Sequence, residues 1–202
     1  MARSEHRRWG KTAQTQADIL DAAVAVFAER GYTTATIADV IERAGSSVGS
    51  IYHHFGGKAE LFHALWAEHT QGLERSAAEA VAKAREDGVS TPIALFEAGG
   101  AAYLRAVWRD RRVARIFWTG DAPPGFEVLR RQRGQAWIEN NLKLLGLAGS
   151  LEDRFVAAVF TAIMGEAART VIGCARSKQA EAIIAEAVRV SRAVAESRGT
   201  PD

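Results

Sequence analysis

Residues 36–55 read Thr36-Ile37-Ala38-Asp39-Val40-Ile41-Glu42-Arg43-Ala44-Gly45-Ser46-Ser47-Val48-Gly49-Ser50-Ile51-Tyr52-His53-His54-Phe55, and the fold turns on how this stretch divides. Thr36 is a good N-cap, with Asp39 three residues later as a weaker form of the capping box. Ile37, Val40, Ile41 and Ala44 then fill i, i+3, i+4 and i+7, and Gly45 breaks the pattern after barely two turns. Ser47 is placed to cap a second short helix, Val48 to His54, with Ile51 and Phe55 spaced to face inward. A short helix, a turn containing glycine and another short helix match the helix-turn-helix arrangement, although small helix pairs are common and periodicity alone leaves other readings open. In that arrangement the second helix enters the DNA major groove and the first lies across the backbone.

Helices this short are unstable alone in water, so they need a helix on either side. Upstream, a helix from about Thr15 to Arg30 carries the stripe Ile19, Leu20, Ala23 and Phe27, with Gly31 placed to end it. Downstream, Gly56-Gly57 introduces a helix from about Lys58 to Ala84, with Leu61, Phe62, Leu65, Trp66 and His69 along one side. Beyond Gly88 and Pro92 the pattern predicts helices near 92–109, 111–118, 125–146, 151–173 and 178–197, punctuated by Pro123-Pro124-Gly125, Gly146 to Ser150 and Arg176-Ser177-Lys178. No stretch alternates as a strand would, so the expectation is an all-α chain of about nine helices.

The chain has 202 residues, 48% hydrophobic and 25% charged, with one cysteine, which is the composition of an ordinary globular protein able to bury a core without staples. Cys174 alone cannot form an intramolecular bridge. No apolar run approaches the roughly 18 residues of a membrane span, and the N-terminus is polar and basic without a signal-peptide core, so a cytoplasmic protein with no membrane partner is expected. A net charge of +2 does not announce a nucleic-acid binder; the distribution of charge matters more. Arg3, Arg7, Arg8 and Lys11 stand against Glu5 alone and without periodicity, which reads as a flexible basic arm over 1–14. A second basic stretch holds Arg105, Arg109, Arg111, Arg112, Arg115, Arg130, Arg131 and Arg133; it reads as a solvated helical surface rather than a DNA site.

The segments Ile19-Leu20-Asp21-Ala22-Ala23, Phe27-Ala28-Glu29-Arg30-Gly31-Tyr32, Thr36 to Val40, Ala44 to Phe55 and Lys58-Ala59-Glu60-Leu61 closely resemble, in order and without gaps, the N-terminal domain of TetR-type (tetracycline-repressor-like) transcriptional regulators. The resemblance covers about the first 65 residues. It implies a helix-turn-helix DNA-binding domain at 15–57 and a ligand-binding and dimerisation domain at 58–202, together a homodimeric repressor released from double-stranded operator DNA by a small, largely apolar or aromatic effector. No cofactor, metal or catalytic residue is expected.

The expected DNA-binding residues are Thr36, Ser47, Val48, Gly49, Ser50, Tyr52, His53 and Lys58. Gly49 and Ser50 keep the front of the second helix low, so it can approach base edges and leave its amides to phosphate. Tyr52 and His53 can donate to phosphate oxygens; the alternatives are a half-buried core aromatic and a merely exposed imidazole. Lys58 lies in the first turn of a helix, where a cation is mildly disfavoured unless a phosphate binds there; otherwise it is an exposed lysine without a partner. The resemblance assigns DNA contact to Tyr52, His53 and Lys58. Two positions depart from the family pattern: Ser46 where an apolar residue is usual, and Val48 where a basic one often stands. Valine offers only apolar contact, for example to a thymine methyl, so readout leans less on charged hydrogen bonds to guanine, and the basic arm is placed to compensate.

Large aromatics in a helical bundle leave irregular spaces where ligands fit. Trp66, His69, Phe96, Tyr103, Phe117, Trp118, Trp137 and Phe160 are therefore candidate ligand contacts, with Asn140 and Asn141 as further polar anchors; core packing explains any one of them equally well. Phe155, Val159, Ile163 and Ala167 form one apolar line, and Ile183, Ile184, Ala187 and Val188 another. By resemblance these two helices pair with their copies in a two-fold interface, although packing within one chain gives the same pattern.

Enzymatic rivals lack support: there is no Gly-rich phosphate loop, His-Glu-x-x-His or Gly-x-Ser-x-Gly. Glu60 and His63 have the Glu-x-x-His spacing of di-metal bundles, but no second copy exists. A helical-bundle interaction module without ligand-gated DNA binding is the remaining alternative; it predicts no strong salt dependence on DNA.

Overall fold

The computed structural model describes residues 2–197, with side chains from residue 14 onward. Among these residues there are nine helices and no strand: α1 (Ala2–Thr34), α2 (Ile37–Ala44), α3 (Val48–His54), α4 (Lys58–Glu86), α5 (Pro92–Arg109), α6 (Arg111–Trp118), α7 (Phe126–Leu144), α8 (Leu151–Gly173) and α9 (Ser177–Ser197). α1 begins well before Thr15, so residues 2–14 of the segment expected as a flexible arm are helical backbone in the structure. Its basic side chains, Arg3, Arg7, Arg8 and Lys11, lie outside the described residues. Gly31 breaks α1 as expected, with φ 75° and ψ 166°, and a last turn to Thr34 follows the break.

Compactness divides the chain into a unit of Met1–His69 with Arg112–Phe126 and a unit of Thr70–Arg111 with Glu127–Asp202, so the division falls inside α4 rather than at Lys58. In the first unit, one face each of α1, α2, α3, α4 and α6 supplies the core: Ile19, Ala23, Phe27, Val40, Ile51, Leu61, Phe62, Ile116 and Phe117, each under 5% exposed or at it. Phe62 is the hub. Its ring lies 5.0 to 5.8 Å from those of Phe27, Tyr32, Phe117 and Phe126, all edge-on or nearly so, the arrangement aromatic quadrupoles favour.

In the second unit, α5, α8 and α9 pack on one another. Leu104, Val107, Ala157, Phe160, Val171 and Ile184 are buried there. Glu97 pairs with Arg192 and Arg105 with Glu181, so low numbers on α5 meet high numbers on α9 and the two helices run antiparallel. α8 has the length and mean hydropathy of a membrane-crossing helix, which the absence of a continuous apolar run had not suggested. It also carries Asp153, Arg154, Glu166 and Arg169, and its Val156, Ala157, Phe160, Met164 and Ala168 are buried, the pattern of a core helix.

Candidate nucleic-acid interface

Local hydrogen bonds set up α2 and α3. Thr36 Oγ1 accepts from the Asp39 amide at 3.2 Å, and Asp39 Oδ2 accepts from the Thr36 amide at 2.9 Å, completing the capping box. The Thr36 hydroxyl also donates to the same carboxylate, at 2.8 Å. Thr36 thus caps α2 as its spacing to Asp39 predicts, and its hydroxyl is engaged in that box. The Thr36 hydrogen bonds, with Arg30 at 3.0 Å, hold the Asp39 carboxyl below its ordinary range. A depressed carboxyl contributes stability above its unfolded pKa and loses it as the pH falls through the folded value. Thr36→Ala is expected to cost about 1 kcal/mol and to flatten the acid limb of the stability curve, both measurable by urea unfolding between neutral and acid pH.

Gly45 then turns the chain with φ 58°, a left-handed conformation, its amide donating to the Ile41 carbonyl. Ser47 Oγ caps α3 by accepting from the Ser50 amide at 3.2 Å. Ile51, fully buried, anchors α3 to the core and decides which face points out. That face holds Val48 at 57% and Tyr52 at 55% exposure, one turn apart, with Gly49 and His53 also exposed. Tyr52 is therefore not a core aromatic. Ser47 is exposed too, while Ser50 is half-buried. No arginine, lysine, asparagine or glutamine lies on α3, so none of its side chains can form the bidentate pairs that read guanine or adenine.

Lys58 has partners. Its ammonium donates to the Thr33 carbonyl at 3.2 Å and sits 4.5 Å from the centre of the Tyr32 ring. An ammonium has three donors, so a phosphate can still engage it. Thr33 is in turn held by a residue that the sequence did not single out. Asp121, after α6, accepts from the Thr33 amide at 3.0 Å and from its hydroxyl at 2.6 Å. Glu29 on α1 meanwhile meets Arg43 of α2 and Arg112 of α6 at 2.7 and 3.5 Å. The only sequence cue to Asp121 is a Pro/Gly-rich turn, and it lies 88 residues from its partner.

The expected effector residues do not form one cluster. Trp66, His69, Phe117 and Trp118 belong to the first unit, and Phe96, Tyr103, Trp137 and Phe160 to the second. In the first, Phe117 is 4% exposed and packs on Trp66 and His69. In the second, Phe96 meets Phe160 at 4.9 Å and Tyr103 meets Trp137 at 5.4 Å. Asn140 is exposed, and Asn141 donates to Thr161 Oγ1 at 2.9 Å, joining α7 to α8. Of the expected dimer residues, Ala167, Ile184 and Ala187 are buried within the chain, because their faces are turned into the α5, α8 and α9 core. Phe155 is 70% exposed, and Val159, Ile163, Ile183 and Val188 keep part of their surface. Phe155 and Val159 line an open groove of about 830 Å³ with Leu151, Ile138 and Val194.

Residues 19–65 match the family described as bacterial regulatory proteins, tetR family. Over 69 residues the chain is 39% identical to the HTH-type transcriptional repressor AcnR of Corynebacterium efficiens, covering 34% of this chain and 37% of that one. Over 60 residues it is 48% identical to the HTH-type transcriptional regulator TtgR of Pseudomonas putida, covering 29% of each. The chain thus spans about a third of the length of these curated relatives. Among solved structures, a TetR-like transcriptional regulator from Rhodococcus sp. RHA1 superposes with a TM-score of 0.67 over 93% of this chain and 97% of its own, at 21% identity. The fatty acid degradation regulator FadR from Bacillus halodurans gives 0.68 over 88% and 94%, at 15% identity. These likenesses establish the fold.

Proposed function

We propose, from the match of residues 19–65 to the tetR family of bacterial regulatory proteins and from the TetR-like fold, that this chain is a cytoplasmic, homodimeric repressor released from operator DNA by a small, largely apolar or aromatic ligand. The observation that carries the DNA-binding half is the outward face of α3, Val48, Gly49, Tyr52 and His53, presented by a buried Ile51. Lys58 supports it as a backbone contact at the start of the next helix. The homodimer rests on the exposed Leu151 and Phe155, 80% and 70%, beside the groove on α8. Exposed apolar patches on folded proteins mark interaction sites. A two-fold dimer places two recognition helices about 34–36 Å apart, one turn of DNA.

Fluorescence anisotropy with DNA from upstream of the coding sequence, at several salt concentrations, tests this directly. Affinity is expected to fall steeply with salt. Lys58→Ala is expected to weaken binding on all sequences and to reduce the salt slope by about one per protomer; an unchanged slope removes Lys58 from the interface.

A further inference from the structure

In the second unit, Glu74 of α4, Tyr103 of α5 and Arg133 and Trp137 of α7 surround one buried hydrogen-bond donor without an acceptor. Arg133 and Trp137 lie one turn apart on α7 and share a face. The Trp137 ring meets that of Tyr103, on α5, edge to face. Arg133 Nη2 lies 2.8 Å from Glu74 Oε1 of α4, with the two side chains 28% and 34% exposed. Arg133 Nε is buried and has no hydrogen-bond partner. Burial pushes the Tyr103 hydroxyl up to about 12, against the pull of the Arg133 charge, so it remains a donor at neutral pH.

A guanidinium satisfies a carboxylate best through two parallel N–H bonds, and Nε with Nη2 is one edge suited to that. Some arginines of this chain use that edge in full, whereas others, such as Arg130 with Glu127, pair through one terminal nitrogen. Arg105 donates to Glu181, Arg189 to Glu186 and Arg192 to Glu97, each through both Nε and Nη2. Arg133 alone among these four pairs is engaged through Nη2 only. Glu74 keeps a third of its surface, so it can turn out into water if another carboxylate takes its place.

We propose that Arg133, Tyr103 and Trp137 form the head of the effector site and that it takes an aromatic monocarboxylate. The ligand's carboxylate takes Nε and Nη2 of Arg133 with the Tyr103 hydroxyl as a third donor, and its ring lies against Trp137. Glu74 is the internal stand-in that the ligand displaces. The proposal rests on the ligand-gated reading above and names the chemistry of its ligand.

The test uses the whole chain without DNA, with indole-3-acetate and its neutral analogue indole-3-acetamide as probes, read by melting temperature and titration calorimetry. Indole-3-acetate is expected to raise the melting temperature and the amide to leave it unchanged. Arg133→Gln is expected to abolish the response, and Arg133→Lys, which keeps the charge but not the fork, to restore little of it. Glu74→Gln is expected to tighten binding about tenfold by removing the competing carboxylate. Circular dichroism of each variant shows that it is folded, and Glu74→Gln tests the proposal independently of the arginine variants. No response to the acid, an equal response to the amide, or unchanged affinity in Glu74→Gln overturns it. Failure of the ligand-gated reading looks different: indole-3-acetate binds, and operator affinity stays the same.

Discussion

Gly31→Ala is expected to destabilise the chain by about 4 kcal/mol, a large share of the ~5–15 kcal/mol that holds a domain folded. Two causes add. At φ 75° and ψ 166° the residue occupies a region essentially reserved for glycine, which costs an L side chain on the order of 1–3 kcal/mol. A Cβ there also falls 2.4 Å from Asp121 Oδ2, so the carboxylate has to leave the Thr33 amide and hydroxyl. Charged hydrogen bonds of that kind contribute about 1.5–3 kcal/mol each.

Gly45→Ala is the control. Its φ is 58° but nothing lies within 4 Å of the added carbon, so only backbone strain of about 1 kcal/mol remains. In an Asp121→Ala background the steric part of the Gly31→Ala cost should vanish, giving a coupling term in a double-mutant cycle. Denaturant melts of the four proteins provide it; additive costs would mean that the carboxylate does not occupy the glycine notch.

Phe155→Glu is expected to leave the fold intact and abolish tight operator binding. Phe155 is 70% exposed, and surface replacements away from structural features change stability within about 0.5 kcal/mol. In a two-fold interface, however, the substitution places two carboxylates in an apolar contact where neither has a partner. Loss of the dimer removes the second half-site, and with it an avidity of about 10²–10⁴. Light scattering should report a monomer, and anisotropy weak, salt-sensitive binding to any sequence. A variant that stays dimeric moves the interface away from this face of α8. Substituting the buried Ile184 instead would confound the test, because a lost dimer and a lost core give the same signal.

Much of the recognition unit was legible before any coordinates. The Thr36 and Asp39 capping box, the left-handed turn at Gly45, the Ser47 cap and the inward Ile51 are contacts among residues three or four apart, so spacing alone announces them. The family pattern added Lys58, which spacing would have left as an exposed lysine. It did not show that Lys58 rests on the Thr33 carbonyl. The aromatic residues were legible as packing material and illegible as a site. Trp66 and Phe117 fill the core around Phe62, whereas Tyr103 and Trp137 adjoin Arg133 and Glu74, and nothing in residue type separates the two fates.

The amino-acid order by itself determined the helices, their ends and the helix-turn-helix, because each follows from bonds and side-chain repeats spanning a few residues. Only the tertiary structure decided which apolar face of α8 and α9 is spent inside the chain, leaving Phe155 outside and Ile184 within. A helix with apolar residues on more than one side reads the same from either, and its neighbours choose between them. Tertiary structure likewise brought Asp121 to Thr33 across 88 residues, and Arg133 to Glu74 from separate helices. Such pairings depend on the path of the whole chain, which no local window contains.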